Sequence, residues 1–371
     1  MQAPGRDGAK ASAQGEVLSP SKGPARAARG AGMALRVAFA GLKHDHVRTI
    51  LRLALDDPGV ELAGVADSDL TNREAIAQAF RVPVDYISHE ALLESAEFDA
   101  LVVCDAFGRR GEAAIAALET GKHVFSDKPL CTREVELHRI ADLAREKGLE
   151  VGVDFSLRHY WAGAKLPLEQ GEIGDLLSCT FAGPHALGLG RRPSWYFEPG
   201  MHGGIINDLM GHGLDYVGWV TGQRCVEVLS ATRVTGLLRE HPGFEMLGEA
   251  HFRLADGLTA FGHVDYLAPE GHAGGWWLAF TGSEGDALLS EASGLRLRRT
   301  GAAETHIAAA ELRSASPHPF VDFVGLLTDG TPPLRTTAEA LDCSLASLVA
   351  QRLAASGEGR GPVDGTEVSG K

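Results

Sequence analysis

Three ionisable residues, Asp208, His212 and Asp215, recur at helical spacing in the segment GGIINDLMGHGLDYVGWVTG, residues 203–222. On an ideal helix each residue advances about 100°, so the three fall within an arc of roughly 60°. Ile206, Leu209, Met210, Gly213, Val217 and Val220 cover most of the remaining surface. A helix with that much apolar surface is mostly buried. An Asp and a His at i, i+4 on its polar stripe form either a satisfied core network or a proton-handling site. An imidazole titrates near working pH, and a carboxylate one turn earlier orients it or raises its basicity.

Lys128 is a second candidate. It follows the short apolar run HVFS (123–126) within Asp127-Lys128-Pro129. A lysine at the carboxyl end of a central strand, followed by Pro, is held at the edge where ligands bind. Its ammonium polarises a carbonyl or steadies an alkoxide, and partial desolvation lowers its pKa toward a working range. An isolated D-K-P would equally fit a surface lysine in a strand-to-helix loop.

These residues need a frame, and residues 35–154 provide it. The runs LRVAFA (35–40), VELAGVAD (60–67), ALVVC (100–104), HVFS and LEVGVD (149–154) read as strands. Between them lie helical stretches at 44–56, from the capping signature Thr71–Glu74 onward, at 112–120 and at 132–147. Such alternation predicts a doubly wound parallel sheet with helices on both faces, a Rossmann arrangement in an α/β protein. Its ligands bind beyond the carboxyl ends of the strands.

The loop after the first strand reads Gly41-Leu42-Lys43-His44-Asp45-His46. A dinucleotide pyrophosphate would sit there, on the helix N-terminus. Only the first glycine of G-x-G-x-x-G is present; Lys43 and His46 replace the other two. Lys43 supplies positive charge to phosphates in place of the lost close approach. Asp67, at the end of the second strand, is placed to accept hydrogen bonds from ribose hydroxyls and to repel a 2′-phosphate. That favours NAD as cofactor, with NADP possible. A helix or turn cap is the plainer role for Asp67.

Beyond 154 the pattern changes to short alternating strands at 176–182, 226–235, 248–254, 258–267 and 276–282, which predict an antiparallel sheet. Helices at 319–327 and 337–355 pack back on the structure. The expected domains are a Rossmann domain at 34–154 and a C-terminal α+β domain with an antiparallel sheet at 155–355. Residues 182–204 read as a long loop entering the Asp208 helix. His185, Arg191, Arg192, Trp195, Tyr196 and His202 in it are candidates to line a substrate cavity, Trp195 and His202 first because they lie nearest the helix entrance.

Composition bounds the function. The 371 residues are 44% hydrophobic and 23% charged, with a formal charge of −14. A net acidic chain is unsuited to nucleic acid or anionic membrane surfaces. Five scattered cysteines without a C-x-x-C pair fit reduced thiols in a cytoplasm and argue against a structural zinc site. His202, Asp208 and His212 lack metal-protease spacing, so no metal is expected. Residues 1–33 and 356–371, rich in small and polar residues, are expected to be disordered.

Taken together, ALETGKHVFSDKPLCT, VDFSLRHYW, GEIGDLLS and GGIINDLMGHGLD, in this order and spacing, resemble the Gfo/Idh/MocA oxidoreductases, the glucose–fructose oxidoreductase and inositol dehydrogenase family. The resemblance covers roughly residues 35–355 and implies a C-terminal α+β domain with a large, mostly antiparallel sheet. It implies that Lys128, Asp208 and His212 are catalytic and that Lys128–Pro129 is cis. It places Gly41, Lys43, His44, Asp67, Asp105, Asp127, Lys128 and Arg158 with the cofactor. Lys128, Arg158, Trp195, His202, Asp208 and His212 would face the substrate. The family's T-P-N-x-x-H segment reads here as 104–110, CDAFGRR, without its proline or histidine.

The implied activity is NAD(P)-dependent interconversion of a secondary alcohol and a ketone on a sugar, cyclitol or polyol, in a homo-oligomer paired through the sheet. His212 would take the hydroxyl proton, Asp208 would orient it and Lys128 would steady the oxyanion. A dinucleotide-binding sensor with little turnover and NAD-assisted glycoside cleavage stand as alternatives.

Overall fold

The computed structural model describes residues 34–270 and 275–363. The leader 1–33 lies outside the described residues, as does the end of the tail, 364–371. Five parallel strands, β1 (Leu35–Ala40), β2 (Val60–Ala66), β3 (Ala100–Val103), β4 (His123–Ser126) and β5 (Val151–Val153), form one sheet in the order β2-β1-β3-β4-β5. The inner strands are apolar on both faces because helices cover both. On α1 (His46–Asp56), Val47, Ile50, Leu51 and Ala54 make the buried face.

The helices depart from expectation at two ends. In α2 (Leu70–Phe80) the capping residue is Asp69, whose carboxylate accepts the Thr71 N–H at 2.8 Å; Thr71 already lies inside the helix. After α3 (His89–Ser95), α4 runs Phe107–Glu119 and so starts five residues before the expected 112. Phe107 and Arg110 continue the buried stripe of Ala113, Ala114 and Ala117. The polar look of Gly-Arg-Arg hid that stripe. Helix α5 (Glu134–Lys147) closes the unit.

Short helices α6 (Leu157–Tyr160) and α7 (Lys165–Glu169) lead into the second sheet. Its nine strands are β6 (Leu176–Pro184), β7 (Cys225–Val234), β8 (Leu247–Leu254), β9 (Thr259–Asp265), β10 (Trp277–Gly282), β11 (Gly285–Ser290), β12 (Gly294–Arg299), β13 (Thr305–Ile307) and β14 (Gly361–Pro362). Their order is β13-β12-β11-β10-β6-β9-β8-β7-β14, and only the β6–β9 pair is parallel. Strands β11–β13 escaped the sequence because arginines and turn residues interrupt their alternation.

Helix α8 (Gly211–Thr221) lies against this sheet so closely that a side chain at Gly213 would overlap Phe181 of β6. Helix α10 (Thr337–Ser356) packs on β7 and α8. Helix α9 (Pro319–Thr328) returns to the first sheet, where Phe320, Phe323, Val324 and Leu327 share a core with Val37, Phe39, Val102 and Phe125. The expected disorder from 356 does not hold through Val363. Gly361–Pro362 pairs with β7, and Val363 is buried, its N–H bonded to Val226 O. No described helix is long and apolar enough to cross a membrane.

Candidate active site

Lys128 follows the carboxyl end of β4, before a cis peptide to Pro129. The turn is fixed from beneath by Arg110 of α4, which is fully buried. Its Nη2 donates to Asp127 Oδ2 at 2.8 Å, its Nη1 to the carbonyls of Lys128 (2.5 Å) and Pro129 (3.2 Å), and its Nε to Asp105 O at 2.8 Å. Burial alone would raise the Asp127 carboxyl, but Arg110, His44 and His46 hold it well below the usual range. Arg110 was passed over because it reads as a solvated helix residue. Its only signal is its place among alanines on the buried face.

From this turn Lys128 Nζ donates to Asp208 Oδ1 at 2.7 Å, and both side chains are buried. Asp208 stands in a π-helical turn, Ile206–Met210, that opens α8. The first amides of that turn are met by side chains: Ile205 N–H donates to Glu245 at 3.0 Å, and Ile206 N–H to Gln351 at 3.0 Å. Asp208 Oδ2 accepts from the hydroxyls of Tyr266 and, at 3.3 Å, Tyr196. Burial pushes the Asp208 carboxyl up; Lys128 and His202 overcome it and hold the group well below the ordinary value.

His212 lies one turn further on, its ring edge-on to Phe155 and tilted on Trp276. Its Nδ1 is buried without a hydrogen-bond partner. Burial, then the charge of Lys128, depresses its pKa well below the ordinary value, so it is neutral. The expected Asp208–His212 couple is therefore not what forms. The π turn changes the phase of the helix, and Asp208 is taken up by Lys128 and the tyrosines. Asp215 leaves the stripe altogether: buried Arg158 (2.8 and 3.0 Å) and Arg335 clamp its carboxylate.

Lys128, Asp208 and His212 line one cavity of about 400 Å³ between the two sheets. His185, Arg192 and Tyr196 of the long loop line it too, together with His44, His46, Tyr160, Tyr266, Trp276 and Glu291. Four expected contacts are corrected. Arg158 points away, held by Asp215, Leu334 O and Glu339, because a buried guanidinium needs its acceptors. Trp195 is core, edge-on to Phe107 at 5.1 Å, and its neighbour Tyr196 takes its place at the cavity. His202 stands behind Tyr266 and does not line the cavity. Arg191 faces outward toward Glu270. Tyr266 and Trp276 were missed; aromatics flanking strands of the second domain were their only signal.

At the cofactor edge Gly41 has φ +80°, and a side chain there would overlap Asp105. The loops after β1 and β3 thus close on one another, and Lys43 Nζ lies 3.0 Å from Asp105 Oδ1. Asp67 accepts the N–H groups of Leu42 (2.5 Å) and Asp69 (2.7 Å), so it organises the loop. His44 Nδ1 is 2.6 Å from Asp127 Oδ2, and His46 Nδ1 is 2.9 Å from Oδ1. Burial takes His44 down to about 4, whereas Asp127 raises His46 against its burial. The ligand atoms of His44, His46 and Asp127 lie within 4.8 Å of one another, but Arg110 and the Lys128 N–H already bond to that carboxylate. The four side chains form one polar network around Asp127. A glycine at positive φ, a helix N-terminus, a cation in Lys43 and an acidic residue ending β2 together fit a dinucleotide.

Comparison with known proteins agrees. The model of the oxidoreductase family with an NAD-binding Rossmann fold matches residues 35–155, and the GFO/IDH/MocA C-terminal domain matches 161–288. The dTDP-3,4-didehydro-2,6-dideoxy-alpha-D-glucose 3-reductase of Streptomyces violaceoruber is 27% identical over 70% of this chain and 73% of its own length. Inositol 2-dehydrogenase 2 of Saccharopolyspora erythraea is 28% identical over 54% of this chain and 57% of itself. An oxidoreductase from Agrobacterium radiobacter, solved with NAD+, L-tartaric acid and magnesium, superposes with a TM-score of 0.74 at 17% identity, over 89% of this chain and 99% of that one. The Lys128 turn, the helix bearing Asp208 and His212, and both matched domains make this chain a member of the Gfo/Idh/MocA family of NAD-binding oxidoreductases.

Proposed function

We propose that the protein interconverts a secondary alcohol and a ketone on a sugar, cyclitol or related polyol, with NAD as redox partner. The Lys128–Asp208 pair carries this reading: a buried ammonium–carboxylate contact facing a cavity at the carboxyl edge of the nucleotide-binding sheet. The names of the Streptomyces and Saccharopolyspora relatives support the substrate class. The cavity's mixture of hydroxyl, imidazole and aromatic groups suits a polyhydroxylated ring.

Gly41, Lys43, Asp67 and the start of α1 hold the dinucleotide, and Asp67 favours NAD over NADP. NAD, when bound, supplies the acceptor for the hydride. Lys128 exchanges the hydroxyl proton and stabilises charge on the reacting oxygen. Asp208 holds Lys128 in place. His212, kept neutral by burial, orients the hydroxyl through a hydrogen bond. A buried imidazole beside a lysine stores a proton poorly, so the proton-accepting role moves from His212 to Lys128.

The test is a fluorescence titration with NADH and NADPH, followed by absorbance assays of NAD+ reduction with myo-inositol and a panel of hexoses, and of NADH oxidation with keto-sugars. Tighter NADH binding with turnover of one class supports the assignment. Binding without turnover favours the sensor reading, which the Lys43–Asp105 contact motivates. No binding of either nucleotide sinks both. The outer face of the second sheet, with Phe261 against His251, is our proposed pairing surface for a homo-oligomer, to be checked by light scattering.

A further inference from the structure

We propose that the reaction's proton crosses the back wall of the active site, along Lys128, Asp208, Tyr266 and His202, into a second cavity. The proposal rests on Lys128 as the proton-exchanging group. Each link is in hydrogen-bond contact with the next. Lys128 Nζ is 2.7 Å from Asp208 Oδ1, the Tyr266 hydroxyl bonds to Asp208 Oδ2, and His202 Nε2 is 3.0 Å from that hydroxyl. The Tyr196 hydroxyl, 3.0 Å from that of Tyr266, holds the array in line.

His202 lines a separate cavity of about 510 Å³ whose rim includes Glu198, Pro199, Gly200 and Glu240. Those rim residues are exposed, so the cavity meets water. The front cavity, by contrast, must hold both sugar and nicotinamide during reaction. Lys128 and Asp208 side chains are only 7% and 2% exposed, so occupation of the front leaves them no direct path to bulk water. Oxidation of an alcohol by NAD+ nevertheless releases one proton per turnover.

The balance closes. With NAD bound as the hydride acceptor, the Lys128 ammonium passes one proton to Asp208 and takes the hydroxyl proton in its place. The protonated Asp208 carboxyl turns its proton to the Oδ2 side. The Tyr266 hydroxyl, released from donating to Oδ2, turns to His202 Nε2, takes the Asp208 proton on its oxygen and gives its own to Nε2, with His202 starting as the Nδ1–H tautomer. His202 then releases its Nδ1 proton to water in the second cavity. Ketone reduction runs the same steps inward. Burial, reinforced by Asp208, pushes the Tyr266 phenol well above its ordinary value, so Tyr266 takes and gives in one motion rather than ionising. Asp208, Tyr266 and Tyr196 face His202 from the front; Glu198, Glu240, His241 and Glu245 line its cavity.

The test follows single-turnover oxidation, with NAD+ and the panel alcohol that turns over, by NADH absorbance and by a pH-indicator dye together. In His202→Ala, proton release should lag NADH formation by a factor on the order of ten to a hundred. Added imidazole, fitting the space among Phe107, Tyr196 and Phe244, should restore synchrony. Synchronous release in the folded variant overturns the route. If that variant does not fold, Tyr266→Phe is read in the same way. Absence of NADH in the wild type is failure of the activity reading instead. The route is then judged by histidine NMR of the full chain. Tyr266→Phe removes the hydroxyl at His202 Nε2 and should move the Nε2 nitrogen resonance, and Lys128→Met should move it too through Asp208 and Tyr266; a resonance unmoved by both overturns the proposal.

Discussion

Lys128 Nζ and Asp208 Oδ1 meet at 2.7 Å although 80 residues separate them, one after a strand of the first sheet, the other in a helical turn under the second. The contact therefore reports the docking of the two units on each other. Removing one partner leaves the other as a buried, uncompensated charge.

That relationship makes the pair testable. Lys128→Met and Asp208→Asn should each lower turnover by about 10²- to 10⁴-fold, the range for losing a positioned proton-transfer group. Lys128→Arg should not recover it, because a guanidinium does not deprotonate in the working range. The measurement is kcat on the best panel substrate, with near-UV circular dichroism to confirm the fold. Recovery of activity in Lys128→Arg would show that charge alone suffices and that Lys128 exchanges no proton.

Arg110 is the support beneath that lysine. It satisfies Asp127 and three backbone carbonyls from a fully buried position. Arg110→Met should destabilise the protein by about 3–5 kcal/mol, chiefly by stranding Asp127. Arg110→Lys should recover little, since one ammonium cannot span four acceptors held in a fork. Urea unfolding of the three proteins decides it. A loss below about 1 kcal/mol for Arg110→Met would mean that His44 and His46 compensate Asp127 unaided.

Much of this was legible in the sequence. The parallel strands announced themselves as continuous apolar runs, and α1 showed its buried face at helical spacing. Lys128, Asp208 and His212 stood out by residue type and spacing, and the structure brings the three to one cavity. Their wiring was not legible. No residue pattern marks a π turn, so the sequence reads the phase linking Asp208, His212 and Asp215 as α-helical, which the turn at Ile206–Met210 breaks. The contacts of Tyr266 with Asp208 and of Arg158 with Asp215 join residues distant in the chain. Arg158 and His202 therefore read as site residues from their position in the chain, when their side chains turn to partners from elsewhere.

Lys43 and Asp105 close the nucleotide loop against the loop after β3. A pyrophosphate must compete with Asp105 for that ammonium. Asp105→Asn should therefore tighten NADH binding by about two- to fivefold, the scale of a partly exposed ion pair. Lys43→Ala should weaken it and flatten its salt dependence. Fluorescence titration at two ionic strengths is the measurement. Weaker binding by Asp105→Asn would instead place Asp105 among the groups that hold the cofactor.

Acid should destabilise the protein before its carboxylates titrate. Burial brings His44 down to about 4, from an ordinary 6.5, and lowers His212 as well. A group with a depressed folded pKa binds more protons when unfolded. Its contribution is complete above 6.5 and is lost as pH falls from there toward about 4. For His44 alone the loss is at most about 3 kcal/mol. His46, raised by Asp127, works in the opposite sense, its contribution fading as pH rises through its folded value, and so offsets part of the slope. Asp127 and Asp208, both held low, carry the loss on into the carboxylate range. The thermal midpoint should thus fall steadily below pH 6.5 in the wild type. His44→Gln, which has nothing to protonate there, should fall less steeply between 6.5 and 4. An unchanged slope would assign the acid sensitivity to His212, whose charging would have to occur within the cavity that binds the substrate.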